Sequence, residues 1–333
     1  MKRYHNLSLY RLGATFCILA FHIFFIMVSE LLVYEVLLSK CLQGLTALSG
    51  FLMSQKVIEN KKDFYLSRFK RILVPALLVI VLMMVWNLIH MLIVKDYNYF
   101  SLFTGTRAYN GRLLIQPGNY YFIVYIAICY LITPLLQKKN VMSIAVAIGV
   151  LLLEFALFTR LSDPLFIVTS YVVGYFVGSY SFKYYVDKST KFSALRLLIW
   201  LTILLISILG YVVMIRNGTA YKVGPYRYQI PRNVFLSMFG VSSMFVFILV
   251  FRFINFNINI KVFKYTDNLT YIVYLLNQAF MIGGMNVTNY VSDFAVKITL
   301  VILFTIVFSV LILFVSDLIE KRVIKKYKSI LSA

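Results

Sequence analysis

Residues 7–29 read LSLYRLGATFCILAFHIFFIMVS. At about 1.5 Å of rise per residue, a helix over this stretch is roughly 35 Å long, enough to cross a hydrocarbon core some 30 Å thick. Its only basic side chains are Arg11 and His22, and it has no acidic one. They stand eleven positions apart. Eleven steps of about 100° return to within roughly 20° of the start, so both share one helix face. They are also separated by roughly 16 Å along the axis, about half of the core. Arg11 can sit near one membrane surface while His22 lies deep. Such a pair can hold an anion at the surface and present a base inside.

The rest of the chain repeats this apolar character. Of its 333 residues, 61% are hydrophobic and 14% charged, with a mean hydropathy of +0.85. A soluble domain of this length has no interior able to hide so much apolar surface. About ten stretches can span a bilayer as helices: 7–29, 34–55, 73–94, 119–137, 141–158, 165–181, 197–215, 234–251, 269–290 and 298–316. Of these, 165–181 is short and 269–290 is interrupted by polar residues. The expected fold is all-α, a polytopic membrane helical bundle forming a single domain over 1–333. The first span resembles a signal peptide but lacks a small-x-small cleavage site, and Arg11 and His22 do not suit a signal core. It reads as retained.

The net charge is +21. A basic balance can indicate nucleic acid, but its distribution here follows membrane sidedness. With the spans above, twenty-two of the 33 Lys and Arg fall on the side of the N-terminus, nine on the other side, and Arg11 and Lys40 within spans. The positive-inside rule then places both termini in the cytoplasm. Membrane lipid, and not nucleic acid, is the expected partner of this charge. Cys17, Cys41 and Cys129 all lie in or beside spans, have no metal-ligand spacing, and read as small buried apolar residues.

Each remaining feature has a functional and a structural reading. His22 is either a base near neutral pH or a helix-to-helix hydrogen-bonding residue. The other histidines are less well placed: His5 lies in the tail, and His90 near the outer end of the third span. Arg11 either binds an anion or snorkels to the surface. Arg68 and Arg71, one helical turn apart before the third span, either join a phosphate-binding cluster with Arg11 or anchor the span. There is no Walker A or GxGxxG loop, so a nucleotide here would be held by side chains. Ser49 and Gly50 in Ser49-Gly50-Phe51-Leu52 permit close helix packing. Glu154 is the one carboxylate well inside a span, and its role is open. The outer loops 95–118 and 216–233 combine Tyr, Arg and Asn, which suits sugar or an interfacial aromatic belt.

Taken in order, these motifs resemble a known family. Arg11-x10-His22, SGFL at 49–52, RFKR at 68–71 followed by Pro75, YYFIVYIAICYLITPLL at 120–136 and LTYIVYLLN at 269–277 follow the pattern of the integral-membrane acyltransferase-3 family. The resemblance covers nearly the whole chain. It implies ten core spans and transfer of an acyl group, usually acetyl, from cytoplasmic acyl-CoA to a hydroxyl of an envelope or secreted glycan. The family's functional arginine and histidine correspond to Arg11 and His22, and its Arg-x-x-Arg motif to Arg68 and Arg71. Many members add an extracytoplasmic esterase-like domain, and none is expected here. The family's late motif often ends in histidine, where this chain has Asn277, which can still orient a substrate. Its Trp-Phe-Leu reads Tyr121-Phe122-Ile123, and the paired phenylalanines usual before SGFL are missing.

The expectation is therefore a multi-pass, bacterial-type plasma-membrane O-acyltransferase, with acetyl-CoA as co-substrate and no metal. The acceptor would be a cell-surface or capsular polysaccharide or its lipid-linked precursor. Arg11, Arg68 and Arg71 would hold CoA phosphates, and His22 would serve as general base or as nucleophile. Ser49, Tyr121, Tyr274 and Asn277 would contact substrate. Self-association is left open. A glycan or small-molecule transporter or flippase, and a polysaccharide polymerase, are the alternatives. The inverted repeats and paired broken helices of a transporter are not clearly seen, and the polymerase reading leaves Arg11-x10-His22 unexplained.

Overall fold

The computed structural model of the chain describes residues 5–27, 37–94, 121–138, 141–158, 166–187, 190–191, 193–217, 229–253, 260–277, 279–281, 287 and 291–331. The loop 95–118, most of the loop 216–233, and the side chains of Tyr121 and His90 lie outside these residues. The described residues form ten helices: α1 (His5–Met27), α2 (Cys41–Met53), α3 (Lys61–Val94), α4 (Tyr121–Leu136), α5 (Val141–Phe158), α6 (Ile167–Val186), α7 (Ala194–Arg216), α8 (Gln229–Phe251), α9 (Ile260–Leu276) and α10 (Phe294–Leu331). Helix accounts for 89% of the structure, and no strand occurs among the described residues. In lipid a lone segment must satisfy its own backbone, which a helix does.

Each stretch expected to span has a helix. By length and apolarity, α1, α3, α7, α8 and α10 can cross a membrane, and α2, α4 and α5 are shorter apolar helices. The remaining two, α6 and α9, are the helices of the short and the interrupted stretches. The exposure pattern is that of a lipid-facing protein. The apolar part of α7 has a mean hydropathy of 2.7, yet only 17% of it is buried. Leu195, Leu198, Leu205, Leu209 and Val213 all point outward from it. In water such a face would be an aggregation site.

Three helices differ most from the expected spans. α3 begins at Lys61 and not near residue 73, so Arg68 and Arg71 lie on the helix itself. α10 runs on to Leu331. No Gly or Pro interrupts 61–72 or 317–331, so nothing stops these helices at the lipid boundary. The third difference is α9, which ends at Leu276 inside the stretch 269–290.

The chain forms two compact units. The first comprises Met1–Phe21, Glu30–Lys61 and Tyr125–Phe263. Within it α2 and α6 touch backbone to backbone. A Cβ on Gly50 would overlap the Tyr171 carbonyl, and one on Gly174 would overlap that of Ala47. This is the close packing that small residues allow between membrane helices. Around it, Phe51 stacks on Phe182 at 4.7 Å and meets Phe245 edge-on at 5.8 Å. Trp200 stacks on Phe245 at 4.3 Å and donates to the Tyr185 hydroxyl at 2.7 Å.

Two buried charges in this unit are spent on backbone. Glu154, 5% exposed, accepts from the Val168 and Thr169 amides at 2.9 Å each and from the Thr169 hydroxyl at 2.5 Å. The residue before α6, Phe166, has φ 43° and supplies no side-chain cap. Glu154 of α5 therefore caps α6 from another helix. Arg252, 2% exposed, donates to the carbonyls of Tyr184, Asp187 and Thr190 and to the Thr190 hydroxyl. It ties the end of α6 and the residues after it to the end of α8.

The second unit comprises His22–Ser29, Lys62–Val124 and Lys264–Ala333. Its central element is α9, contacted by side chains from the end of α1, from α3 and from the start of α4. Pro75 inside α3 removes the amide hydrogen that would bond the Arg71 carbonyl. Next to that carbonyl, the carbonyl of Ile72 accepts from the Tyr271 hydroxyl of α9 at 3.1 Å. Phe280, just beyond α9, packs on Phe304 and Phe308 of α10 at 5.8 and 5.4 Å.

Candidate active site

His22 lies on the last turns of α1 and is 7% exposed. Its Nδ1 is 3.1 Å from Oδ1 of Asn277, which is fully buried. The Asn277 amide donates to the Val273 carbonyl at 3.0 Å, so its backbone still keeps the register of α9. The chain then turns, with the Ala279 amide on the Leu276 carbonyl at 2.9 Å. Ala279, Phe280 and Met281 are buried and not helical. Irregular backbone at membrane depth is tolerated only where protein or a water-filled cavity surrounds it. The imidazole of His22 therefore lies buried beside a helix end that is itself buried.

Arg68 and Arg71 occupy successive turns of α3. Arg71 is exposed and its Nη2 donates to Oδ1 of Asn268 on α9 at 2.9 Å. The Arg68 guanidinium lies over the Phe64 ring, 5.8 Å from its centroid, and is half-buried. Asn268 and Asn277 are nine residues apart, so α9 meets Arg71 and His22 at levels about 14 Å apart along its axis. One helix thus contacts both motif sites of the second unit, a polar clamp at each end. Between them Tyr274 is buried, its ring edge-on to Phe122 at 5.1 Å.

Arg11 lies half-buried in α1 within the first unit, where its carbonyl accepts from the Thr15 hydroxyl at 2.9 Å. Ser49 is half-buried in α2, also in the first unit, beside Gly50 at the contact with α6. The structure thus brings His22 together with Asn277, and α9 together with Arg71. The description of Arg11 and Ser49 belongs to the other unit, and the side chain of Tyr121 lies outside the described residues.

Sequence reasoning did not pair His22 with Asn277, which stand 255 positions apart. The signal available was a polar residue, Asn277, within a largely apolar stretch. Nor did it assign Glu154. Its partners are mainly backbone amides of the next helix, which every sequence supplies.

A family model described as an acyltransferase domain matches residues 4–320 of the chain. No curated protein and no solved structure matches it.

Proposed function

The chain belongs to the acyltransferase-3 family, and from that premise we propose that it moves an acetyl group from cytoplasmic acetyl-CoA to a hydroxyl of a surface or capsular polysaccharide or its lipid-linked precursor. A multi-pass membrane acyltransferase is what the family and the apolar helices support together. Membership favours this over the transporter and polymerase readings.

The observation that carries the proposal is the buried His22, oriented by Asn277 in the unit that also holds Arg68 and Arg71. The two arginines would pair with the donor's phosphates, because planar guanidinium groups bind phosphate bidentately. By the same chemistry Arg11 is a third candidate for binding phosphate. The donor's phosphates and its thioester are joined by a long flexible arm, which suits two anchoring levels separated along α9. His22 would take the proton of the acceptor hydroxyl as its oxygen attacks the thioester carbon. The tetrahedral adduct would then expel CoA thiolate, which takes that proton back from His22. The net products are the ester and free CoA. The buried surroundings of His22 would slow loss of the thioester to water.

The test is the envelope glycan, compared by NMR with and without the gene and with a His22→Ala copy. O-acetyl signals should disappear in both deficient strains, while the purified variant still binds acetyl-CoA. If the variant acylates normally, His22 is a packing residue. If labelled acetyl accumulates on wild-type protein without acceptor and is lost in the variant, His22 is a nucleophile and not a base.

A further inference from the structure

We propose that Asn277 is a positioning residue whose amide oxygen accepts the Nδ1–H of His22, holding the neutral imidazole in the tautomer that leaves the Nε2 lone pair for the acceptor hydroxyl. The inference rests on the reading of His22 as the general base and deepens it.

A neutral imidazole has one N–H and one lone pair, and the hydrogen-bond partner of one nitrogen sets the task of the other. The atom facing Nδ1, at 3.1 Å, is an amide oxygen, which has no hydrogen to give. The hydrogen of that bond therefore belongs to Nδ1, and Nε2 is the basic nitrogen.

The surroundings favour a fixed pair. Both side chains are buried, so water does not compete for Nδ1 as it would at a surface. Asn277 is anchored by its backbone bond to Val273 and by the turn that follows. Few rotamers then remain for a side chain packed on every side.

A histidine at this position could either give or take a hydrogen, so it would leave the tautomer undecided. An amide presenting its oxygen decides it. When His22 becomes an imidazolium, Nδ1–H stays on the same acceptor. The ring need not rotate between taking the hydroxyl proton and returning it to the thiolate. Asn277 itself neither gains nor loses a proton in the cycle.

The experiment uses full-length protein in nanodiscs with 15N-labelled histidine. His5→Gln and His90→Gln identify the His22 signals among the three histidines. At neutral or higher pH, His22 should show a protonated Nδ1 and an unprotonated Nε2. In Asn277→Leu that preference should be lost. Turnover should fall by up to roughly 10²-fold, part of the 10²–10⁴ that a positioned base contributes, with the KM for acetyl-CoA unchanged. Asn277→Asp, whose carboxylate can only accept, should keep the Nδ1–H tautomer and recover most of the turnover.

An Nε2–H tautomer in the wild-type protein overturns the proposal without any variant having to fold. So does an unchanged tautomer in Asn277→Leu, or an Asp variant as slow as the Leu variant. The two readings fail separately. If the tautomer depends on Asn277 but no glycan is acylated, the positioning stands and the transferase reading falls. If acylation needs His22 but the tautomer ignores Asn277, the reverse holds.

Discussion

Replacing Glu154 by alanine should destabilise the protein and leave its chemistry intact. The carboxylate is 5% exposed and holds the Val168 amide, the Thr169 amide and the Thr169 hydroxyl. Val168 is itself 3% exposed, so its amide would be left buried and unpaired, at about 1–3 kcal/mol. Thr169 is half-buried and regains water in part, so its share is better judged as a lost helix cap, about 0.5–2 kcal/mol. Together the cost is roughly 2–4 kcal/mol, a large part of the 5–15 kcal/mol typical of folded domains. Glu154→Gln keeps one oxygen for Val168 and should lose about half as much. The assay is thermal unfolding of purified protein in nanodiscs, paired with acyl transfer per folded molecule. An alanine variant as stable as wild type would refute the capping argument. A variant of normal stability that has lost turnover would move Glu154 into the chemistry.

The glycine contact offers an internal control: Gly50→Leu must push apart the α2 and α6 backbones and should lower the melting point by many degrees, whereas Gly149, with nothing within 4 Å of an added Cβ, should accept alanine with a gain of about 0.5–1 kcal/mol, read in the same melts. Arg68→Ala should weaken acetyl-CoA binding by roughly 1.5–3 kcal/mol by calorimetry, with Lys only a partial rescue; unchanged affinity would remove Arg68 from the donor site. Arg71→Ala should do the same, and it also breaks the contact with Asn268, so Arg68 gives the cleaner reading. For topology, a cysteine at Ser101 should be labelled from outside the cell and one at Ser332 should not; the opposite pattern would invert the orientation.

Much of the helical plan can be read in the residues because lipid imposes a simple rule on them. The stretch 141–158 coincides with α5, and 197–215 lies within α7. Apolar length decides both. That rule says nothing about where a helix stops outside the hydrocarbon, so the starts of α3 and the end of α10 had to come from the structure. It also fails for α9, where the apolar run continues past Asn277 but the helix does not. The candidate site was legible in its components, since ionisable groups in spans stand out. Its pairing was not. A contact between His22 and Asn277 leaves no periodic trace along the chain, and Glu154 binds backbone amides that carry no residue identity. Gly50 lies between these cases: its small size announces a close approach without naming Tyr171 as the neighbour.

The polarity of α9 has a consequence for how the protein is made. The helix carries Asn268 and Thr270, ends just before Asn277, and has Lys261 and Lys264 in its first turns. It is neither among the helices apolar enough to cross a membrane nor among the shorter apolar ones. Such a segment partitions poorly from the translocon into lipid on its own. It leaves the ribosome after α1 and α3. By then the end of α1 and all of α3 are already in place, holding the hydrogen-bonding groups that α9 uses. Earlier helices thus offer α9 the hydrogen-bonding partners that a bilayer does not provide. A chain truncated after α8 would leave those groups waiting in the membrane, a natural recognition mark for quality control.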